Sequence, residues 1–238
     1  MLRVELLPAE YGDCILLSYG NGAPRHVLID AGTMPTWQSA LRPHLVARGV
    51  RQLELFVLTH IDADHIAGAI PMLEDPNLPV TIDEVWFNGW PHLPKRVLSV
   101  KQGERFSELI RSRRIPWNAQ FDDRAACVDG TPPKRVLRGG LELTLLSPTP
   151  KELGRLARAW KTEIDRHFLG IGTGVPRRLQ FLARHPTTST DVGKLSATTF
   201  RSDTSIPNGS SIALLVEYEG RALILAGDAH VAVLRRSI

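Results

Sequence analysis

The chain has 238 residues, 43% of them apolar and 23% charged, with a formal net charge of +4. That length and balance suit one large domain or two small ones with a real hydrophobic core. Two cysteines, Cys14 and Cys127, exclude a disulfide framework, and no stretch approaches the roughly 20 apolar residues of a membrane span.

The start, Met1-Leu2-Arg3-Val4-Glu5, has no signal-peptide pattern, so a cytoplasmic protein away from the membrane is expected. Residues 2–7, 13–19 and 26–30 read as strands, with Gly20-Asn21-Gly22 as the turn between the last two. Cys14 lies in an apolar run and reads as a buried thiol rather than a nucleophile. The period then changes: Trp37, Leu41 and Leu45 fall four apart and predict a helix over 35–48, stopped at Gly49. Residues 53–58 read as a buried strand, 65–74 as a short helix disturbed at Pro71, and 82–87 as a further strand. A helix near 101–114 precedes strands at 135–138 and 141–146. Leu153, Leu156, Trp160, Ile164 and Phe168 mark another helix with a buried stripe. Residues 170–209, rich in Gly, Thr, Ser and Pro, read as a long flexible loop. A final hairpin, 211–218 and 221–226, turns at Glu219-Gly220. Strands first, helices between and strands again predict an α/β (α+β) layered domain covering residues 1–238. A Walker or dinucleotide loop, HExxH, paired CxxC and GxSxG are all missing, which disfavours several enzyme classes.

Charge is uneven along the chain. Residues 1–94 hold 5 Lys/Arg against 11 Asp/Glu, whereas residues 95–185 hold 19 against 9. A basic middle suggests an anionic substrate; a solvated, arginine-rich surface explains it equally well.

The chemistry concentrates in Thr59-His60-Ile61-Asp62-Ala63-Asp64-His65. Alternate residues of an extended segment project to one side, so His60, Asp62 and Asp64 can converge, with His65 entering from the next helix. Imidazole and carboxylate suit zinc, manganese or iron. Each residue alone has a plainer reading: Asp64 as a helix N-cap, His60 as a core histidine. Two histidines and two aspartates within six residues exceed what capping needs, and imply two metal ions.

The run Thr59-His60-x-Asp62-x-Asp64-His65-x-x-Gly68 resembles the signature of the metallo-β-lactamase superfamily, whose common form is HxHxDH. Aspartate at position 62 resembles the variant in the hydrolase domain of ComEC-type DNA-uptake proteins. Tyr11-Gly12-Asp13-Cys14 followed by Leu28-Ile29-Asp30-Ala31-Gly32 is similar to the opening of that group. Asn208-Gly209-Ser210-Ser211-Ile212 followed by Leu225-Ala226-Gly227-Asp228 is similar to its later segment. The resemblance implies an αββα sandwich with two divalent metal ions, zinc or manganese, at one edge. It implies that His60 and Asp62 serve the first metal, that Asp64 and His65 serve the second, and that Asp228 bridges both. Asp64 could also orient the nucleophile as a catalytic residue. Asp30 would hold a ligand histidine in orientation; by sequence alone Asp30 and Asp228 also read as turn residues, and Asp13 is ambiguous.

Two departures from the pattern stand out. The family's ligand histidine before the Gly-Asp segment has no counterpart, Asn208 or Asp203 being the nearest polar residues, and His185 is left unassigned. The histidine beyond that segment is also missing, with the closing strand-and-helix unit, so the chain reads as C-terminally shortened. His230 could substitute in part, or simply start a helix facing solvent. A strand edge left open would favour a homodimer. The implied reaction is hydrolysis by a metal-bound hydroxide, on a phosphodiester or other anionic substrate such as single-stranded DNA. Trp86, Trp90 and Trp117 could stack bases or pack as core. Hydrolysis of carboxylic esters, thioesters or lactams is the alternative activity, and a catalytically incomplete metal-binding or partner-binding remnant the alternative class.

Overall fold

In a computed structural model of the chain, residues 1–93, 101–168 and 203–238 are described, with backbone alone for 101 and 160–168. The two faces of the first strands explain the layering. Along β2 (Ile15–Tyr19) every residue is buried. Leu16 faces one core, while Ile15, Leu17 and Tyr19 face another. The same alternation sorts Leu28 from Val27 and Ile29 on β3 (Arg25–Ile29), and Phe56 from Leu55 and Val57 on β5 (Leu55–Val57). A strand covered on both faces is apolar along its buried length, as β5 and the ends Val27–Ile29 of β3 and Ile15–Leu17 of β2 are; the buried Ser18 is bonded to His26.

With β1 (Leu2–Leu6) and β7 (Val85–Trp86) these strands form a five-stranded sheet in the order β1-β2-β3-β5-β7. Its first three strands are antiparallel, whereas β3, β5 and β7 run parallel. The short β4 (Gln52–Leu53) and β6 (Thr81–Ile82) pair separately. The second sheet is antiparallel: β8 (Lys134–Val136), β9 (Glu142–Ser147), β10 (Ala213–Tyr218) and β11 (Arg221–Leu225), in the order β11-β10-β9-β8. Leu143, Leu145, Leu214 and Val216 of that sheet meet Leu17, Val27 and Val57 of the first. Removing a fully buried leucine from such a core costs about 2–5 kcal/mol.

Helices cover the other face of the first sheet. Trp37 and Leu41 lie on a π-helical turn (Trp37–Leu41) that runs into α1 (Arg42–Ala47), which adds Leu45. Ile66 comes from α2 (Ala63–Ile66), Met72 and Leu73 from α3 (Ala69–Glu74), and Phe106, Leu109 and Ile110 from α4 (Lys101–Ser112). The long α5 (Pro150–Phe168) adds Leu153 and Leu156. The αββα layering expected from the resemblance is therefore present. No helix among the described residues is long and apolar enough to cross a membrane.

Several expectations are corrected. The helix expected over 65–74 is two helices, and it breaks at Ala67-Gly68, not at Pro71. A Cβ on Gly68 would lie 2.0 Å from the Ala31 carbonyl oxygen, so this residue is pressed against the loop after β3, and its N–H leaves the helix to bond the Gly32 carbonyl at 2.9 Å. Pro71 sits in the first turn of α3, where its missing N–H breaks no helical bond. The loop expected over 170–209 lies outside the described residues as far as 202, but its end contains α6 (Ile206–Gly209). The helix that His230 was offered as starting is α7 (Val231–Ser237), and it packs on β9.

Candidate metal centre

Parallel strands deliver their C-terminal ends to one edge, and the site is assembled there. Asp30 follows β3 and Thr59-His60 follow β5, while Asp228 arrives from the end of β11 in the other sheet. The Ile212 N–H donates to the Thr59 carbonyl at 2.9 Å, which ties the two sheets together beside the cluster. The Asp228 N–H is held by Ser211 Oγ at 3.3 Å. Gly227, at φ +48°, leaves no room for a side chain: a Cβ would meet Ser211 Oγ at 2.6 Å.

Asp30 is wholly buried, in the left-handed region at φ +55°. A non-glycine residue held there needs surrounding bonds to keep it, and Asp30 has them. Its carboxylate accepts the Thr59 N–H at 2.7 Å, the Thr59 hydroxyl at 2.7 Å and His65 Nδ1–H at 2.7 Å. Since the Thr59 hydroxyl donates to Asp30, its oxygen accepts from His60 Nδ1 at 2.9 Å. One buried carboxylate thereby sets both imidazoles, His65 directly and His60 through Thr59, and leaves each Nε2 free as a lone-pair donor. The two rings lie 4.2 Å apart.

Both Nε2 atoms face acids. His60 Nε2 lies 3.6 Å from Asp62 and 3.8 Å from Asp228; His65 Nε2 lies 3.7 Å from Asp228 and 3.9 Å from Asp64. Ligands about 2.1 Å from a tetrahedral ion stand roughly 3.4 Å apart, close to this spacing. His60 Nε2 is buried without a hydrogen-bond partner, an arrangement that a cation would satisfy. The donors fit a divalent ion on this ground, and His60, His65 and Asp228 converge as one candidate group.

The electrostatics point the same way. Burial pulls the His65 imidazole towards neutrality, but Asp228 and Asp30 outweigh it and lift it to about 11. His65 in turn holds Asp228 below the usual carboxylate range. Burial raises the carboxyls of Asp64 and Asp13. A cradle that draws a proton's charge onto an imidazole would exchange that proton for a divalent cation.

Asp62, not Asp64, is the N-cap of α2, and it makes no side-chain capping bond. Capping therefore accounts for neither carboxylate. Asn208 lies apart from the cluster: its amide donates to Asp203 at 2.8 Å and its carbonyl oxygen accepts from Ser205 Oγ at 3.2 Å. His230 does start a helix, as the N-cap of α7, but its side chain is only 16% exposed, with Nε2 3.7 Å from Asp203. His185 lies outside the described residues. The tryptophans are packing groups. Trp86 is in the inter-sheet core, Trp90 is 9% exposed, and Trp117 stacks on Phe87 and donates its N–H to the Phe87 carbonyl. Cys14 is buried, and burial pushes its thiol up to about 12.

Sequence reasoning gave no role to Thr59 or Ser211. Each neighbours a ligand candidate or its strand in a matched motif, but only the fold brings their hydroxyls to Asp30 and to the Asp228 backbone.

The chain is 44% identical to "Competence protein ComA" of Neisseria gonorrhoeae over 82 residues, 32% of this chain and 12% of that protein. It thus spans a small fraction of that relative's length. A solved diphosphatase of the PhnP family is similar over 56% of this chain and 43% of its own. At 15% identity and a TM-score of 0.30, that likeness is too distant to bear on chemistry. The model of the metallo-β-lactamase superfamily matches residues 8–235, nearly the whole chain, and the chain belongs to that superfamily.

Proposed function

We propose that the chain is a metal-dependent phosphodiesterase or nuclease with a dinuclear centre. The observation that carries this is the convergence of His60, His65 and Asp228 around a buried, unpartnered imidazole nitrogen. His60 and Asp62 would hold one divalent ion, Asp64 and His65 the other, with Asp228 between them. Ions held there would supply Lewis acidity and activate a water near neutral pH.

The chain's own residues do the remaining work. Asp30 and Thr59 fix the histidine tautomers, so both Nε2 atoms face the cluster. Asp64, half-buried beside His65, orients the attacking water. Asp228 is 40% exposed, which leaves the substrate side of the cluster open. Zinc and manganese both suit a set of two imidazoles and three carboxylates, and the oxygen-rich share leans to manganese.

The ComEC-like aspartate at position 62 and the similarity to a competence protein favour DNA as the phosphodiester. Charge adds little support. In the basic stretch Arg105, Arg113, Arg124, Lys134, Arg135 and Arg138 already engage acids or carbonyls. The test is protein loaded with Mn²⁺ or Zn²⁺ and offered single-stranded DNA, bis-p-nitrophenyl phosphate, p-nitrophenyl acetate and a β-lactam. Hydrolysis of the phosphodiesters is expected. Turnover of the ester or lactam alone would overturn the phosphodiesterase reading.

A further inference from the structure

Asp13 precedes β2 and has no part in the ligand set described above, but it faces the same cluster. A carboxylate oxygen of Asp13 lies with one of Asp30 and a ring nitrogen of His65 in a group whose atoms are all within 4.8 Å of one another. In that group Asp30 is already committed, to Thr59 and to His65 Nδ1. Asp13 is not: among the described residues its carboxylate makes no hydrogen bond and no ion pair. It is half-buried, with Asp64 and Asp228 as further acidic neighbours. His65 attracts this carboxylate, but burial and the three surrounding acids oppose its charge, and a divalent cation would relieve that crowding.

The backbone holds Asp13 in this position. Gly12 is pressed against the metal loop so closely that a Cβ would lie 1.7 Å from the Asp64 carbonyl oxygen. Its N–H donates to Ala9 at 3.0 Å, and the Cys14 carbonyl accepts from Leu7 at 2.8 Å. The flanking residues are thus anchored on both sides, and Asp13 is delivered to the Asp64–His65 half of the centre. His60 Nε2, buried and unpartnered, independently marks the cluster as a cation site.

We propose that Asp13 is a metal ligand, a further oxygen donor to the ion held by Asp64 and His65. The inference rests on the dinuclear reading above. The test compares wild type, Asp13→Asn and Asp13→Ala by Mn²⁺ titration calorimetry, with thermal melts of metal-free and loaded protein. Wild type is expected to bind two ions per chain. The variants should keep one site and bind the second at least about ten-fold more weakly. Their metal-free melting temperature should be unchanged or higher, because a repelled carboxylate has gone, while the rise on loading shrinks. A purely structural role would lower the metal-free melting temperature and leave the second site alone. Two ions bound at wild-type affinity by the near-isosteric Asp13→Asn would overturn the proposal and leave the dinuclear reading intact. Fewer than two ions on wild type would overturn both.

Discussion

Strand β5 carries buried polar groups at both ends, and the two ends are built oppositely. Glu54, just before it, is 7% exposed and fully engaged. It accepts the Tyr19 hydroxyl at 2.8 Å and the Arg138 backbone N–H, and it pairs with Arg25 and Arg138. His60, just after it, is 2% exposed and leaves Nε2 without a partner amid Asp62 and Asp228. A buried polar group that is satisfied contributes to one fold, whereas one left unsatisfied costs stability and needs a ligand to justify it. The acidic cluster is therefore read as functional and the Glu54 network as structural, although both are buried and charged.

The contrast is open to several experiments. The largest effect should come from removing a ligand candidate. His60→Ala or Asp228→Ala should reduce metal-dependent hydrolysis on the order of 10³-fold, several kcal/mol of lost transition-state stabilisation. Metal-free stability should fall less in His60→Ala than in Asp228→Ala, which also removes the carboxylate that His65 Nε2 faces, as steady-state kinetics beside urea melts would reveal. Glu54→Ala should do the reverse, lowering stability by about 2 kcal/mol because it leaves the Tyr19 hydroxyl and the Arg138 backbone N–H without their acceptor, with metal stoichiometry unchanged by calorimetry. If Glu54→Ala abolished metal binding, the two ends could not be separated in this way.

Metal loading itself should stabilise wild type by about 2.7 kcal/mol at a free concentration one hundred times the dissociation constant. That gain should persist in Glu54→Ala and shrink in His60→Ala, which keeps only the ion held by Asp64 and His65, a difference readable in thermal melts. A smaller change is expected for Thr59→Val, which keeps the shape but cuts the link from Asp30 to His60. Metal affinity should fall about ten-fold, near 1.4 kcal/mol.

The last effect is one of pH. His65 is raised from 6.5 to about 11 in the folded, metal-free protein. Its contribution to metal-free stability is thus fully present below about pH 6.5, and is lost as pH rises through 11. A divalent ion must displace that proton, so metal affinity should increase from pH 6.5 to pH 8, with about one proton released per chain. Calorimetry in buffers of different ionisation enthalpy measures that release; none would argue against His65 as a ligand.

Much of the site was legible because its ligands sit in short runs. His60 to His65 occupy six consecutive positions, and Asp30 and Asp228 follow apolar strands at positions where a chain leaves a sheet edge. The two-sided burial of β5, of β2 up to Leu17 and of β3 from Val27 was likewise visible as short apolar runs. What escaped depends on distant partners. The helix breaks at Gly68 because its N–H bonds the Gly32 carbonyl, from a loop far back in the chain, so the break was misplaced to Pro71, the residue with a local reputation for breaking helices. The tryptophans offered aromatic faces in the sequence, and only packing revealed that Trp86 meets Phe121 and Trp117 stacks on Phe87.

Sequence alone, then, determined the superfamily pattern, the layered α/β class and the residues with donor atoms. Local order and periodicity suffice for those, since they depend on spacing along one chain. Tertiary structure alone decided which donors meet. Asp228 reaches His60 only because two sheets pack face to face, Thr59 matters only because its hydroxyl lies between Asp30 and His60, and Asn208 is turned away to Asp203. Convergence is a property of distances between segments far apart in the chain, and no spacing within one segment encodes it.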